Sequence, residues 1–394
     1  MNNPVVLVVG TRPEGIKIAP LYFALKEIGI PTILCSTFQH TSLLEEVFSI
    51  FKIEPDIKLN LMRPNQDLFY ITTGVLEEMK KVYTELNPHM VIVQGDTTTT
   101  MSAALAAFYL KIPVGHVEAG LRTGDIYSPF PEEMNRKIVG SLARLHFAPT
   151  GHSVDNLLAE GIKKESIFYV GNTVKDALRL MSIKIKLGLQ LDQNILSVIK
   201  NAQIKNKKIV LVTAHRRESF NGGILNILNA IKEHSDKFDD VQFIYPSHPN
   251  PNVLEAIEKS GIKNCKNVFM CAPLSYPNLV YVLESADVII TDSGGIQEEA
   301  ACLKKPVIIA RDNTDRPEPV WAGYARVVGT DREKILHALS QFLYNWVAPA
   351  YNEELYGDGF AAEQIARIIE AKIKPVILSE RIESKDSHIK NKGL

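Results

Sequence analysis

The chain has 394 residues, 45% of them hydrophobic and 23% charged, with a formal net charge of −1. That length exceeds one ordinary core and suits two domains. The near-zero charge excludes a strong global field for nucleic acid or an anionic membrane, so any anionic ligand must be held locally. The opening MNNPVVLVVG lacks the basic segment and long apolar run of a signal peptide, and no apolar stretch approaches the roughly 18–20 residues of a membrane span. Four cysteines (Cys35, Cys265, Cys271, Cys302) show neither C-x-x-C nor zinc spacing. The expectation is a cytoplasmic protein with free thiols and no metal site.

In chain order, PVVLVVG, PTILCST, HMVIVQGD and IPVGHVEAG are short β-branched runs, each ending in small or polar residues. Amphipathic stretches such as IAPLYFALKEIG follow them, which is the βαβ rhythm of a parallel sheet covered by helices. The rhythm restarts after GIKKESIFYVGNTVKDAL with KKIVLVTAHR, DVQFIYPSH, ADVIITDSGG and KPVIIARD. Two doubly wound domains in tandem are expected, 1–173 and 174–359, with an amphipathic helix at 360–373 and a polar, disordered tail at 374–394. The lysine-rich stretch 184–208 reads as an early helix or linker of the second half. In such sheets ligands bind beyond the carboxyl ends of the strands, so the chemistry is sought just after each strand.

VVGTRPEGIK opens a helix after the first strand. Its turn can present backbone N–H groups to an anion, with Arg12 and Lys17 adding charge, or it can be a plain strand-to-helix turn. It is neither G-x-G-x-x-G nor a Walker loop. Asp96 ends the third run in front of four threonines, either as a helix cap or as a carboxylate at the mouth of a site. His215 follows the first strand of the second half beside Arg216 and Arg217, and His248 repeats that arrangement one strand later. In VIITDSGGIQEEAACL the strand ends at Asp292. Ser293, Gly294 and Gly295 turn into a helix that can cradle a phosphate, with Glu299 in reach of ribose hydroxyls.

The densest charge lies in GHVEAGLRTGDIYSPFPEEMNR, residues 115–136. Glu118 leaves a buried strand, where a carboxylate needs a partner or a purpose. Helical phase then pairs Glu132 with Arg136 on one face, and Glu133 with Lys137 as a solvated pair.

Together these segments closely resemble the bacterial non-hydrolysing UDP-N-acetylglucosamine 2-epimerases. The matching pieces are GTRPEGIKIAPL, QGDTTTT, GHVEAGLRTGDIYSPFPEEMNR, HFAPT, VGNTVKDAL, TAHRRE, TDSGGIQEEA, RPE and YGDG, in family order over roughly residues 5 to 373. The resemblance implies a GT-B-like α/β fold: two Rossmann-like doubly wound parallel-sheet domains, the active site in the cleft between them, and a last helix crossing back to the first. It implies interconversion of UDP-N-acetylglucosamine and UDP-N-acetylmannosamine by a homodimer, with no cofactor, for cell-surface polysaccharide synthesis. The family is thought to eliminate UDP, leaving a 2-acetamidoglucal, and to add UDP back.

By the same resemblance Asp96, Glu118, Glu132 and His215 are the catalytic candidates. Arg12, Lys17, Arg136, Ser293, Gly294, Gly295, Glu299 and Arg316 bind substrate or UDP. Gln39, Arg216 and His248 match a second, regulatory UDP-sugar site, whereas Ser42 and Asn65 depart from it. Leu279 stands where an aromatic often lines the uracil pocket. Trp321 and Tyr324 replace smaller or acidic residues, leaving room for a modified sugar such as a UDP-diacetamido-uronate. A GT-B glycosyltransferase, a hydrolysing epimerase and a nucleotide-sugar sensor are the competing readings.

Overall fold

The computed structural model describes residues 3–37, 41–59, 61, 63, 66–349 and 355–374. Two compact units emerge: residues up to Ala177 together with those from Gly357 onward, and Leu178–Tyr356.

The first unit is built on strands β1 (Val5–Val9), β2 (Thr32–Ser36), β3 (Ile57–Lys58), β4 (Met90–Gln94), β5 (Val114–Val117), β6 (Leu145–Ala148) and β7 (Ile167–Tyr169). They pair in the order β3-β2-β1-β4-β5-β6-β7, and every pairing is parallel. Parallel strands covered on both faces read as unbroken apolar runs, and VVLVV of β1 is buried at all five positions. Val6 and Val8 of β1 and Val91 and Val93 of β4 pack with Ala103, Ala104 and Ala107 of the helix Thr98–Tyr109. Small alanines let that helix lie close to the sheet. A helix at 361–374 completes the unit. Asp176, fully buried, accepts the N–H groups of Ala361 and Ala362 (3.3 and 2.9 Å) and so satisfies the helix's first donors.

The second unit carries β8 (Lys208–Thr213), β9 (Val241–Pro246), β10 (Val268–Cys271), β11 (Val288–Thr291), β12 (Val307–Ile309) and β13 (Ala325–Val327). The order β10-β9-β8-β11-β12-β13 repeats the first unit's winding, again wholly parallel. Alternation along β8 divides its core: Val210 and Val212 join one cluster, Ile209 and Leu211 the other. Stretch 184–208 holds the end of the helix Thr173–Lys186 and the helix Gln193–Ile204. All four cysteines are free, Cys35 and Cys265 buried and the others half-buried.

In each sheet the strand order reverses between two neighbours, β1 and β4 in the first unit and β8 and β11 in the second. In open α/β sheets ligands bind beyond the strand ends at such switch points.

Candidate active site

At the first switch point Thr11 caps the helix Arg12–Glu27 and Glu14 is its third residue. One Glu14 carboxylate oxygen, Oε2, accepts the N–H groups of Gly10 (2.8 Å) and Thr11 (2.7 Å). The other, Oε1, meets the hydroxyls of Thr97 (2.5 Å) and Thr100 (2.8 Å), in the turn after β4. This corrects the anion-cradle reading of VVGTRPEG: the N–H groups of Gly10 and Thr11 are taken by the chain's own carboxylate. Gly10 is required by crowding, since a Cβ there would lie 2.6 Å from the hydroxyls of both Thr37 and Thr99. Arg12 lies half-buried at the start of the same helix.

The carboxyl ends of β4 and β5 are adjacent, with Gln94 paired to Val117. Glu118 directly follows β5 in the left-handed backbone region, φ +66, a conformation that costs a non-glycine residue on the order of 1 kcal/mol or more. Its Oε2 accepts Lys17 Nζ in a short ion pair whose side chains are 5% and 6% exposed. Asn172 Nδ2 donates to the same oxygen at 3.3 Å. Burying a carboxylate and an ammonium gains little stability over an apolar pair.

Asp96 is not a helix cap; Thr97 is, accepting the Thr100 N–H. Asp96 Oδ2 instead accepts two guanidinium nitrogens of Arg136, Nε at 3.0 Å and Nη2 at 2.7 Å. Arg136 also donates through Nη1 to Glu133 (3.0 Å), which is fully buried. The expected solvated pair Glu133–Lys137 is therefore corrected. Lys137 turns to Glu160, while Glu133 Oε1 accepts the N–H groups of Thr123 (3.1 Å) and Gly124 (3.2 Å). Those loop bonds draw Glu133 inward, one turn below Arg136. Glu132, on the same helix (Glu132–Leu142), is half-buried with Oε2 out of solvent. Asn135 Nδ2 ties the helix to the Asp96 carbonyl at 2.9 Å. Gly120 lets the intervening loop pass: a Cβ there would sit 2.2 Å from the Ser153 carbonyl oxygen.

The second switch point uses one carboxylate in the same way. Asp292, fully buried after β11, accepts the N–H groups of His215 (2.6 Å) and Arg216 (2.7 Å), the two residues beyond β8's turn. His215 Nδ1 lies 3.5 Å from Asp292 Oδ1, and its ring stacks on His248 at 5.4 Å. Burial, before the neighbouring His215, holds His248 below the ordinary imidazole pKa. Ser293 caps the helix Gly294–Cys302. Gly294 is demanded by the protein itself: a Cβ would lie 2.7 Å from Arg316 Nη1, and Arg316 is fixed by Glu298 (2.7 Å) and Asp315 (2.6 Å). Beside Gly295, by contrast, a Cβ would meet no atom within 4 Å. Glu299 is buried in the same helix.

Gln39 and Asn65 lie outside the described residues, as do the side chain of Ser42 and the tail from 375. Leu279 packs on the core that includes Leu211 and Ile289. Tyr324 is buried against Trp346 (6.2 Å between rings), so it is a core residue, while Trp321 is 66% exposed. Among the described residues no group of three or more His, Cys, Asp or Glu is placed to hold a metal ion. Likewise none of their helices is long and apolar enough to cross a membrane. Glu14, Glu133, Asn172 and Asp292 escaped the sequence reading as partners in the site. Only Glu14 carried a local signal, the T-x-x-E of a capping box.

The family model described as UDP-N-acetylglucosamine 2-epimerase matches residues 24–370. A UDP-N-acetylglucosamine 2-epimerase of Yersinia pestis is 46% identical over 371 residues, covering 93% of this chain and 98% of that protein. One from Escherichia coli K12 is 46% identical over 377 residues, covering 93% of this chain and 97% of that protein. The crystal structure of a UDP-GlcNAc 2-epimerase from Neisseria meningitidis bound to UDP-GlcNAc aligns with a TM-score of 0.86 at 42% identity. That alignment covers 93% of this chain and 99% of the other.

Proposed function

Because the chain belongs to the UDP-N-acetylglucosamine 2-epimerase family, we propose that it interconverts UDP-N-acetylglucosamine and UDP-N-acetylmannosamine without hydrolysis. The observation that carries this reading is the pairing of Glu118 with Lys17 and of Asp96 with Arg136, both cations buried, beyond β4 and β5, with Glu132 on the helix that carries Arg136. A binding module for an anion gains nothing from three carboxylates. A proton transfer at carbon does.

The C2 hydrogen of the sugar is weakly acidic, so a positioned base must take it as the anomeric C–O bond breaks. The C2 proton passes to a carboxylate, the C2–H electrons form a C1–C2 double bond, and the C1–O electrons leave with UDP. Return delivers a proton to C2 from the opposite face of the 2-acetamidoglucal, while the UDP oxygen closes on C1 from the face it left. Asp96, Glu118 and Glu132, with His215, are the proton carriers in this reading. Lys17 holds Glu118 in place, and Arg136 does so for Asp96. Arg12, Ser293, Gly294, Gly295, Glu299 and Arg316 hold the UDP, which must be retained for re-addition. A homodimer in the cytoplasm, feeding polysaccharide synthesis, belongs to the same proposal.

The test is incubation with UDP-N-acetylglucosamine in D2O, followed by NMR. Deuterium at C2 and growth of the manno isomer are expected, with Glu118→Gln binding UDP but losing about 100-fold or more in turnover. Folded protein giving no exchange overturns the reading. Free sugar plus UDP marks a hydrolysing enzyme, and stable transfer to an acceptor marks a glycosyltransferase.

A further inference from the structure

Glu14 has no part in the proton transfer just described, yet it occupies the centre of the first switch point and is 2% exposed. Its carboxyl bridges both sides of that point. Oε2 holds the turn that leads to Arg12 and Lys17, and Oε1 holds the turn that begins with Asp96.

Proton counting around Oε1 constrains its state. Three short oxygen–oxygen contacts meet there: Thr97 Oγ1 to Glu14 Oε1 at 2.5 Å, Thr100 Oγ1 to Glu14 Oε1 at 2.8 Å, and Thr100 Oγ1 to the Gln94 carbonyl at 2.7 Å. A carbonyl only accepts, so the single Thr100 hydroxyl proton is committed to Gln94. The Thr97 hydroxyl supplies the proton of the 2.5 Å contact. An ionised Glu14 would then face Thr100 Oγ1 lone pair to lone pair at 2.8 Å. A protonated Glu14 removes the conflict: Oε1–H donates to Thr100 Oγ1, which donates onward to Gln94. Oε2 remains a carbonyl oxygen that accepts from the two backbone N–H groups and from the Thr11 hydroxyl, 3.0 Å away.

We propose that Glu14 is a positioning residue held as a neutral acid, joining the Gly10–Thr11 turn to the Thr97–Thr100 turn and so setting Lys17 and Asp96 in register. The charged neighbours on these elements are engaged elsewhere, Lys17 with Glu118 and Asp96 with Arg136. Burial pushes the Glu14 carboxyl above its ordinary value, against the pull of its hydroxyl and backbone donors. A neutral acid also adds no further negative charge beside Asp96 and Glu118.

The kinetic consequence rests on the epimerase reading; the protonation state does not. In the full-length protein labelled with 13C at glutamate carboxyls, one resonance should remain in the protonated position at pH 7 and vanish in Glu14→Gln. The Gln amide keeps the neutral acid's bonds, accepting from Gly10 and Thr11 and donating to Thr100, and its second N–H donates to Thr97 once that hydroxyl turns. Its turnover should therefore stay within about threefold of wild type. Glu14→Ala should lose about 100-fold in kcat with little change in KM, because the turns and their side chains lose register by a fraction of an ångström to one ångström. All carboxyls ionised at pH 7, or Glu14→Gln as impaired as Glu14→Ala, would overturn the proposal. Should Glu14→Ala not fold, the spectrum and Glu14→Gln alone decide. A wild-type protein without epimerase activity would count against the function, and the carboxyl spectrum would still decide the state of Glu14.

Discussion

Asp292 fixes His215 by its backbone: the buried carboxylate accepts the His215 N–H at 2.6 Å and that of Arg216 at 2.7 Å from the same oxygen. The imidazole is left 39% exposed, stacked on His248. Position is thus set by the chain, and chemistry by the ring. Asp292→Asn retains an oxygen acceptor and should keep most of the stability and part of the turnover. Asp292→Ala strands two N–H donors and should lower stability by about 1–3 kcal/mol, with a larger loss of activity. Urea unfolding and rate measurements on the two variants check the order.

Arg136 is paired with both Asp96 and Glu133. A lysine cannot reach both carboxylates with the same fork geometry. Arg136→Met leaves Glu133 fully buried without its cation and should cost about 3–5 kcal/mol. Arg136→Lys should cost less but still reduce turnover, as Asp96 loses its two-nitrogen support. Equal unfolding midpoints for wild type and Arg136→Met would refute the role given to this pair.

The two glycines after Ser293 should behave differently. A methyl at Gly294 must displace Arg316 from Glu298 and Asp315, so Gly294→Ala should destabilise by about 1–3 kcal/mol and weaken UDP binding. Gly295→Ala meets nothing and should leave stability within about 0.5 kcal/mol. If UDP lies against that backbone, its affinity should nevertheless fall about tenfold, near 1.4 kcal/mol. Calorimetric titration with UDP separates the two.

Acid should unfold the first unit through His116 and His146, both buried. His116 donates through Nε2–H to the Gly95 carbonyl at 2.7 Å. Burial pushes the two imidazoles down, to about 3 for His116 and about 4 for His146. Each is neutral when folded and becomes charged when unfolded below the ordinary value near 6.5. Stability is then full above about pH 6.5 and falls as the pH drops toward those folded values. Each histidine contributes about 1.4 kcal/mol per pH unit in that window. Urea midpoints between pH 7 and 5 should show the decline, and His146→Asn should flatten it by about half.

The architecture was largely legible because parallel strands buried on both faces leave continuous apolar runs, as in VVLVV and MVIVQ. The two-residue β3 offers no such run, and β10, although apolar throughout, is only half-buried. The places of the candidates Asp96, Glu118 and His215 just beyond strand ends were also legible from position. Their partners were not. Lys17 pairs with Glu118 across 101 positions, and no local pattern encodes that. Helical phase paired Glu133 with Lys137, but tertiary bonds to Thr123 and Gly124 decide where Glu133 goes. Glu14 carries a capping-box signature, yet only the fold brings Thr97 and Thr100 to its other oxygen.

The helix at 361–374, capped by Asp176, has a consequence for biosynthesis. The first unit's own sheet leaves the ribosome early, but its covering helix is translated only after the whole of Leu178–Tyr356. At cellular elongation rates that delay is on the order of ten seconds or more. For that interval the face that receives Ala362, Ile365, Ala366 and Ile369 stays open to water and to other nascent chains. The earliest-made domain is therefore the last to be finished, and a premature stop before residue 361 damages the beginning of the protein.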